Sequence, residues 1–192
     1  MDAKENKGRV IIPEELFSRI SEGDNKAFEE LYYLSYKPLY AFLLSLTKNK
    51  DDADDIMQDT YIKIRGASHL YKGPGNPMAW IMKIAKNEYL MKQRQISARH
   101  GGYLDEIENS DALAFENIND AENRMFLKEL FKNISEEDRN IIIMHVSMGM
   151  KHKEIADILD APVGTVLSRY HRAMKTLKKA MSSNKFEGKE EE

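Results

Sequence analysis

His152-Lys153-Glu154-Ile155-Ala156-Asp157-Ile158-Leu159, then Asp160-Ala161-Pro162, then Val163-Gly164-Thr165-Val166 is the stretch whose reading decides the fold. Ile155, Ala156 and Leu159 recur at helical spacing, so His152 to Leu159 reads as a short helix with those side chains inward. Asp160-Ala161-Pro162 makes a tight turn, since proline pushes the residue before it out of the helical region. A long helix follows from Val163 to Lys179. This order is that of a helix-turn-helix, whose first helix braces a second that can enter the DNA major groove. Val163, Val166, Leu167, Tyr170, Met174 and Leu177 are expected to pack inward, leaving Ser168, Arg169, His171, Arg172 and Lys175 on the opposite face. Arginine can make a bidentate contact to guanine, and serine or histidine can bond base edges or phosphates. The small Gly164 and Thr165 at the helix start leave backbone N–H groups open to a phosphate. An ordinary helical hairpin with a basic outer face shares this pattern, so spacing alone leaves both readings open.

Working outward, the rest of the chain is also helical. Ala27, Leu31, Tyr32 and Leu34 begin an amphipathic pattern continued by Leu39, Phe42, Leu43 and Leu46, with a break or kink expected near Tyr36 because of Pro38. A second helix runs from about Asp51 to Arg65, and Tyr71-Lys72-Gly73-Pro74-Gly75-Asn76-Pro77 is a strong loop signal. Pro77 suits the first turn of the next helix, which carries Met78, Trp80, Ile81, Ile84, Ala85 and Leu90 at helical spacing. Trp80 lies on that apolar face and reads as core rather than as a base wedge. Further on, a helix around Ala121 to Asn133 precedes Ser135 and Asp138, a capping-box-like start for a helix from Glu136 to Met148 that Gly149 ends. No strand signal or internal repeat is present. The expected fold class is all-α: two small helical domains, 14–97 and 120–181, joined by an acidic linker, 98–119, with flexible tails at 1–13 and 182–192.

The net charge of −3 argues against a nucleic-acid binder until the charges are mapped. Between Asp59 and Asp105 stand Lys63, Arg65, Lys72, Lys83, Lys86, Lys92, Arg94 and Arg99, opposed only by Glu88. From His100 to Asn123 there is no Lys or Arg, while Asp105, Glu106, Glu108, Asp111, Glu116, Asp120 and Glu122 accumulate. Between Asp160 and Glu187 the sign reverses again, with Arg169, Arg172, Lys175, Lys178, Lys179 and Lys185 and no acid. Two basic segments around an acidic one suit a polyanion touched at two places. With 0 cysteines, disulfides and thiolate metal sites are excluded. The five histidines (His69, His100, His145, His152, His171) show no ligand spacing, so no metal or cofactor is expected. No apolar run approaches the ~20 residues that span a membrane, and Met1 to Arg9 lacks the apolar stretch of a signal peptide. A cytoplasmic protein without membrane insertion is the expectation.

Three motifs in order carry a family resemblance. Glu154-Ile155-Ala156…Pro162-Val163-Gly164-Thr165-Val166-Leu167-Ser168-Arg169-Tyr170-His171-Arg172-Ala173 resembles the promoter-reading C-terminal domain of extracytoplasmic-function sigma factors. Asp54-Asp55-Ile56-Met57-Gln58-Asp59-Thr60-Tyr61-Ile62-Lys63 resembles their helix that docks on the polymerase clamp, and Trp80-Ile81-Met82-Lys83-Ile84-Ala85-Lys86-Asn87 the helix after their −10-reading loop. The resemblance spans about residues 14 to 180. It implies a sigma factor that binds core RNA polymerase and promoter DNA, has an anti-sigma partner and does no catalysis itself. It places core-polymerase contacts on Asp55, Gln58 and Asp59, which share a helix face and can meet arginines. Asp51 and Asp52 are expected to serve the helix N-terminus instead.

The resemblance further implies that the Tyr71 to Asn76 loop captures a flipped base of the −10 element. The candidates there are Tyr71, Lys72, Asn76 and Asn87, with Lys83 and Lys86 on phosphates. The −35 set is Thr165, Ser168, Arg169, His171, Arg172 and Lys175. Family linkers thread the polymerase active-site region, which suits the acidity of Asp105 to Glu122. Leu167 departs from the family pattern where many members carry a basic −35 reader, and Met91 where many are polar. Two rival readings stand beside this one. A one-component helix-turn-helix regulator would bind its operator without polymerase. An all-helical prenyl-diphosphate enzyme would use Asp51-Asp52-Ala53-Asp54-Asp55 as a DDxxD magnesium motif, but no second acid-rich helix accompanies it.

Overall fold

The computed structural model describes residues 10–100 and 130–187, with the backbone alone for 99, 100 and 183–187. Most of the linker at 98–119, most of the helix around Ala121 to Asn133, and residues 1–9 and 188–192 of the tails therefore fall outside the described residues, whereas 182–187, expected as flexible tail, continue the last helix. All the regular structure among the described residues is helical. The chain divides into two compact units, Met1–Ala114 and Phe115–Glu192. No described helix is long and apolar enough to cross a membrane.

The first unit is built on α1 (Glu15–Ser21), α2 (Asn25–Thr47), α3 (Lys50–Ala67), a 3-10 turn (Ser68–Leu70) and α4 (Pro77–His100). α2, α3 and α4 pack on one another, and α1 lies against α2, α3 and the 3-10 turn. Each start has a local cause. Asp24 Oδ1 accepts from the N–H groups of Lys26 and Ala27 to cap α2, and Asn49 Oδ1 accepts from Asp52 N–H to cap α3. Asp51 and Asp52 occupy the first turn of α3, where the macrodipole favours acids. Pro77 opens α4 as expected.

Of the break or kink expected near Tyr36, the break is absent: α2 is one helix through Pro38. Proline inside a helix costs about 3 kcal/mol. Leu31, Leu39, Phe42 and Leu43 lie on both sides of Pro38 and are all buried, at ~1.5–3 kcal/mol each, which outweighs that cost. The shared core keeps the helix whole. α1 is a second departure, because the apolar pattern read from sequence began only at Ala27. Its Leu16, Phe17 and Ile20 are buried, but seven residues are too few for periodicity to declare.

One polar pair sits inside this core. Ser35 Oγ donates to the Leu31 carbonyl at 2.6 Å and lies 2.8 Å from Tyr61 Oη. Burial pushes the Tyr61 phenol well above its ordinary range, with the Ser35 contact pulling the other way.

The second unit contains α5 (Glu136–Val146), α6 (His152–Leu159) and α7 (Val163–Glu187). α5 and α6 both pack on α7 and touch each other. Ser135 Oγ accepts from Asp138 N–H, the cap that its spacing announced. Lys151 N–H donates to Glu154 Oε2 at 2.7 Å at the start of α6. Asp160 ends α6 in the left-handed conformation at φ 53, which aspartate tolerates better than most residues. Ile141, Met144, Met150, Ile155, Ala156, Ile158, Val166 and Ala173 close the core.

Tyr61→Phe removes one partner of the buried hydroxyl pair and leaves Ser35 bonded to the Leu31 carbonyl. Urea unfolding is expected to show a loss of about 1 kcal/mol, with the helical circular dichroism of the folded protein unchanged.

Candidate partner and nucleic-acid interfaces

Burial of Ala53, Ile56, Met57, Thr60, Tyr61 and Ile64 fixes the rotation of α3. That phase turns Asp55, Gln58, Asp59 and Ile62 onto one exposed face, where they share a groove of about 540 Å3 with Lys63 and with Glu88, Met91, Lys92 and Gln95 of α4. Ile62 is 69% exposed and Met91 43%, so the groove pairs carboxylates with bare apolar side chains. Sequence reasoning separated Asp52 from Asp55, whereas the fold joins them: Lys92 Nζ lies 2.9 Å from Asp52 Oδ1 and 3.1 Å from Asp55 Oδ2. Partial burial pulls the Lys92 ammonium down, and the two carboxylates outweigh it, so its pKa is raised. Lys63 Nζ pairs with Glu88 at 2.5 Å and approaches Met91 Sδ at 3.7 Å. The spacing of α3 could not reveal these partners, because they come from α4. Among the described residues no group of acids or histidines is arranged to hold a metal ion.

The loop between the 3-10 turn and α4 is tied down at both ends. Tyr71 is half-buried, stacked on Phe17 with centroids 4.2 Å apart and meeting Trp80 edge-on at 5.7 Å. Asn76 Oδ1 accepts from Ala79 N–H at 3.2 Å, so this side chain caps α4. Lys72 is exposed on the loop, and Lys83 and Asn87 are exposed on α4 one turn apart, with Lys86 half-buried beside them. At 100° per residue Lys83 and Lys86 point away from the mean direction of the α4 residues that line the groove, whereas Asn87 lies one turn before Met91 at its edge. Trp80 is half-buried against Phe17, near the core position expected of it. The carboxylate of Glu14, which drew no attention in the sequence, reaches the loop: its Oε1 accepts from Gly75 N–H at 2.9 Å.

In the helix-turn-helix, three residues, Arg169, Leu167 and Val163, depart from expectation. Arg169 does not sit on the outer face of α7. It is turned towards α5, with Nε donating to Asp138 Oδ1 at 2.7 Å and Nη2 paired with Glu137. Asp138 is only 6% exposed, and an unpaired carboxylate there would be costly. Leu167 does not pack inward either; it is 37% exposed and Val163 39%. The buried stripe of α7 runs instead through Val166, Ala173 and Leu177, with Tyr170 half-buried. The outer face therefore holds Leu167, Ser168, His171, Arg172 and Lys175, with Thr165 exposed in the first turn. Ser168 Oγ donates to the Thr165 carbonyl, and Arg172 Nη2 lies 3.5 Å from Asp138.

The fold also gathers histidines that are scattered in sequence. The His145 and His152 rings lie 4.2 Å apart, both at 4.9 Å from Tyr170, and His145 Nδ1 is 2.7 Å from the Met150 carbonyl. Burial, then the neighbouring His145 and His171, hold the His152 imidazole below its ordinary value.

Known proteins share both units. Sigma-70 region 2 matches residues 31–99, and Sigma-70, region 4 matches residues 127–177. The ECF RNA polymerase sigma-E factor of Escherichia coli (strain K12) is 31% identical over 173 residues, covering 84% of this chain and 90% of that one. The sigma-E factor of Haemophilus influenzae is 29% identical over 174 residues, covering 85% and 92%. Among solved structures, the sigma factor RpoE in complex with the anti-sigma factor NepR from Bartonella quintana aligns with a TM-score of 0.55 at 25% identity, covering 82% of this chain and 98% of that one. CnrH in complex with the cytosolic domain of CnrY aligns at 0.52, covering 90% and 99%; at 19% identity this is a likeness of fold.

Because the folded state keeps His152 neutral to lower pH than the unfolded chain does, the unfolded state takes up the extra proton as pH falls below the ordinary histidine value of ~6.5. The His152 contribution to stability is thus whole above that value and is lost on acidification towards its depressed folded value. Thermal unfolding between pH 7.5 and 5 is expected to show a smaller drop in Tm for His152→Gln than for the parent chain.

Proposed function

This chain belongs to the extracytoplasmic-function RNA polymerase sigma factors, and from that premise we propose how its surfaces divide the work of binding core RNA polymerase and recognising a promoter. The observation that carries the reading is the presence of sigma-70 regions 2 and 4, in that order, on a chain that covers 90% of the E. coli sigma-E factor.

In this proposal residues 14–97 form the core-binding and −10 domain, 98–119 the linker and 120–181 the −35 domain. Asp55, Gln58 and Asp59 meet basic side chains of the polymerase, while Ile62 and Met91 take the apolar residues between them. Exposed carboxylate pairs are worth only about 0–1 kcal/mol, so a partner arginine can displace Lys92 from Asp55 at little cost. Lys72 and the backbone of the 71–76 loop meet the −10 element, with Lys83, Lys86 and Asn87 on the adjoining strand. Tyr71 supports the loop from within the aromatic cluster, and Asn76 supports it by capping α4.

On α7, Ser168, His171, Arg172 and Lys175 face the −35 element, with Thr165 and the helix start on a phosphate. Leu167 at the edge of that face favours apolar contact with a thymine methyl over a charged contact to guanine. Arg169 orients the helix through Asp138 and Glu137 rather than reading bases. The polymerase performs the chemistry, so no catalytic residue is assigned. An anti-sigma factor is the expected inhibitor, by analogy with the solved sigma factor RpoE bound to the anti-sigma factor NepR, and the cytoplasm is the expected compartment.

Run-off transcription with core polymerase tests the division. The intact chain is expected to yield a specific start only when core enzyme is present; duplex binding at full affinity without polymerase would favour a one-component regulator. Asp55→Arg places like charges together across the interface, and is expected to weaken core binding about tenfold or more in a pull-down titration with unchanged Tm. Arg172→Ala is expected to cost about 1–3 kcal/mol of promoter affinity, and promoter use equal to the parent's would remove Arg172 from the recognition set.

A further inference from the structure

Glu14 stands immediately before α1, outside the segments that match sigma-70 regions 2 and 4, yet its carboxylate is built into the 71–76 loop. Oε1 accepts from Gly75 N–H at 2.9 Å. Oε2 fills the space beside Gly73, where a Cβ would collide with it. A second hold comes from the same short helix: Phe17, 1% exposed, stacks on Tyr71 with 17° between the ring planes. Tyr71 and Gly75 bracket Lys72, Gly73 and Pro74, so both ends of this tip are fastened to α1. α1 is itself anchored, with Leu16 and Ile20 buried and Arg19 paired with Asp24 at 2.7 Å.

We infer that Glu14 is a positioning residue for promoter recognition, holding the 71–76 loop in the shape in which it meets the −10 element. The inference rests on the assignment of that loop to the −10 element made above. A carboxylate beside an expected polyanion is electrostatically unfavourable as a DNA contact, so its effect runs through the loop backbone. Two glycines in a loop tip sample a wide range of φ and ψ, and each must be ordered when DNA binds. A charge-assisted hydrogen bond to Gly75 N–H orders them beforehand. Gly73 is then required for a stated reason: a side chain there would push the carboxylate out.

The test uses the full chain with core polymerase, on a promoter selected from a library randomised at both elements and on the same promoter with one −10 base substituted. Glu14→Ala and Gly73→Ala are each expected to lower the ratio of matched to substituted initiation about tenfold, with core affinity and Tm unchanged. Glu14→Gln keeps an acceptor oxygen and is expected to retain most of the ratio. A purely structural role would lower Tm and depress both promoters together, leaving the ratio alone. A parental ratio in Glu14→Ala overturns the inference, as does a Gln variant as damaged as the Ala variant. A photocrosslinking residue at position 72 separates the two levels. Failure to crosslink to −10 DNA overturns the loop assignment itself, whereas crosslinking with an unchanged Glu14→Ala ratio overturns only the role of Glu14.

Discussion

Leu31, Leu39 and Leu43 of α2, Ile56 and Ile64 of α3, and Ile81 and Met82 of α4 are each no more than 2% exposed. A helix with one apolar stripe has one rotation that buries it, and at ~1.5–3 kcal/mol per side chain that rotation is strongly enforced. Everything on the outside of this bundle inherits its position from that seam. Once Ile56, Tyr61 and Ile64 face inward, Asp55, Gln58, Asp59 and Ile62 must face outward together. With Ile81, Met82 and Ala85 buried, α4 presents Glu88, Met91 and Lys92 to the groove and Lys83 and Lys86 elsewhere. The same constraint orders α7: Val166, Ala173 and Leu177 inward leave Ser168, His171, Arg172 and Lys175 outward.

The surfaces so exposed are partly satisfied within each unit. Lys92 bridges Asp52 and Asp55, Lys63 meets Glu88, and Arg169 binds Glu137 and Asp138. These pairs differ in consequence. The carboxylates around Lys92 are largely solvated, so their pairing is weak and exchangeable. Asp138 is buried, and breaking its bond with Arg169 would leave that carboxylate only the longer contact with Arg172. The first arrangement suits a docking surface that must release its internal partner, and the second suits a fixed brace for the recognition helix. A chain with net charge −3 can therefore address both an acidic and a basic partner.

The sequence by itself determined the class of fold, the order of its parts and the chemistry of its surfaces. Helical spacing, the Ser135 cap, Pro77 at a helix start and the three family motifs are local signals that need no knowledge of what packs against what. The alternation of basic, acidic and basic segments is local in the same sense. Only tertiary structure decided which side chains are available. Pro38 is a break by local rules and a continuous helix once Leu31 and Leu39 share one core. Arg169 is a DNA reader by spacing and a brace once α5 brings Asp138 to it. Leu167 counts as apolar and so as inward, until the burial of Val166, Ala173 and Leu177 sets the rotation of α7 by a fraction of a turn. Asn76 and Tyr71 look like free loop residues until α4 needs a cap and Phe17 supplies a ring. Glu14 carries no motif; it gains its meaning from a backbone N–H 61 positions away. The physical reason is common to all of these. Periodicity reports which face a helix buries, whereas hydrogen bonds and ion pairs between helices depend on neighbours that no local pattern names.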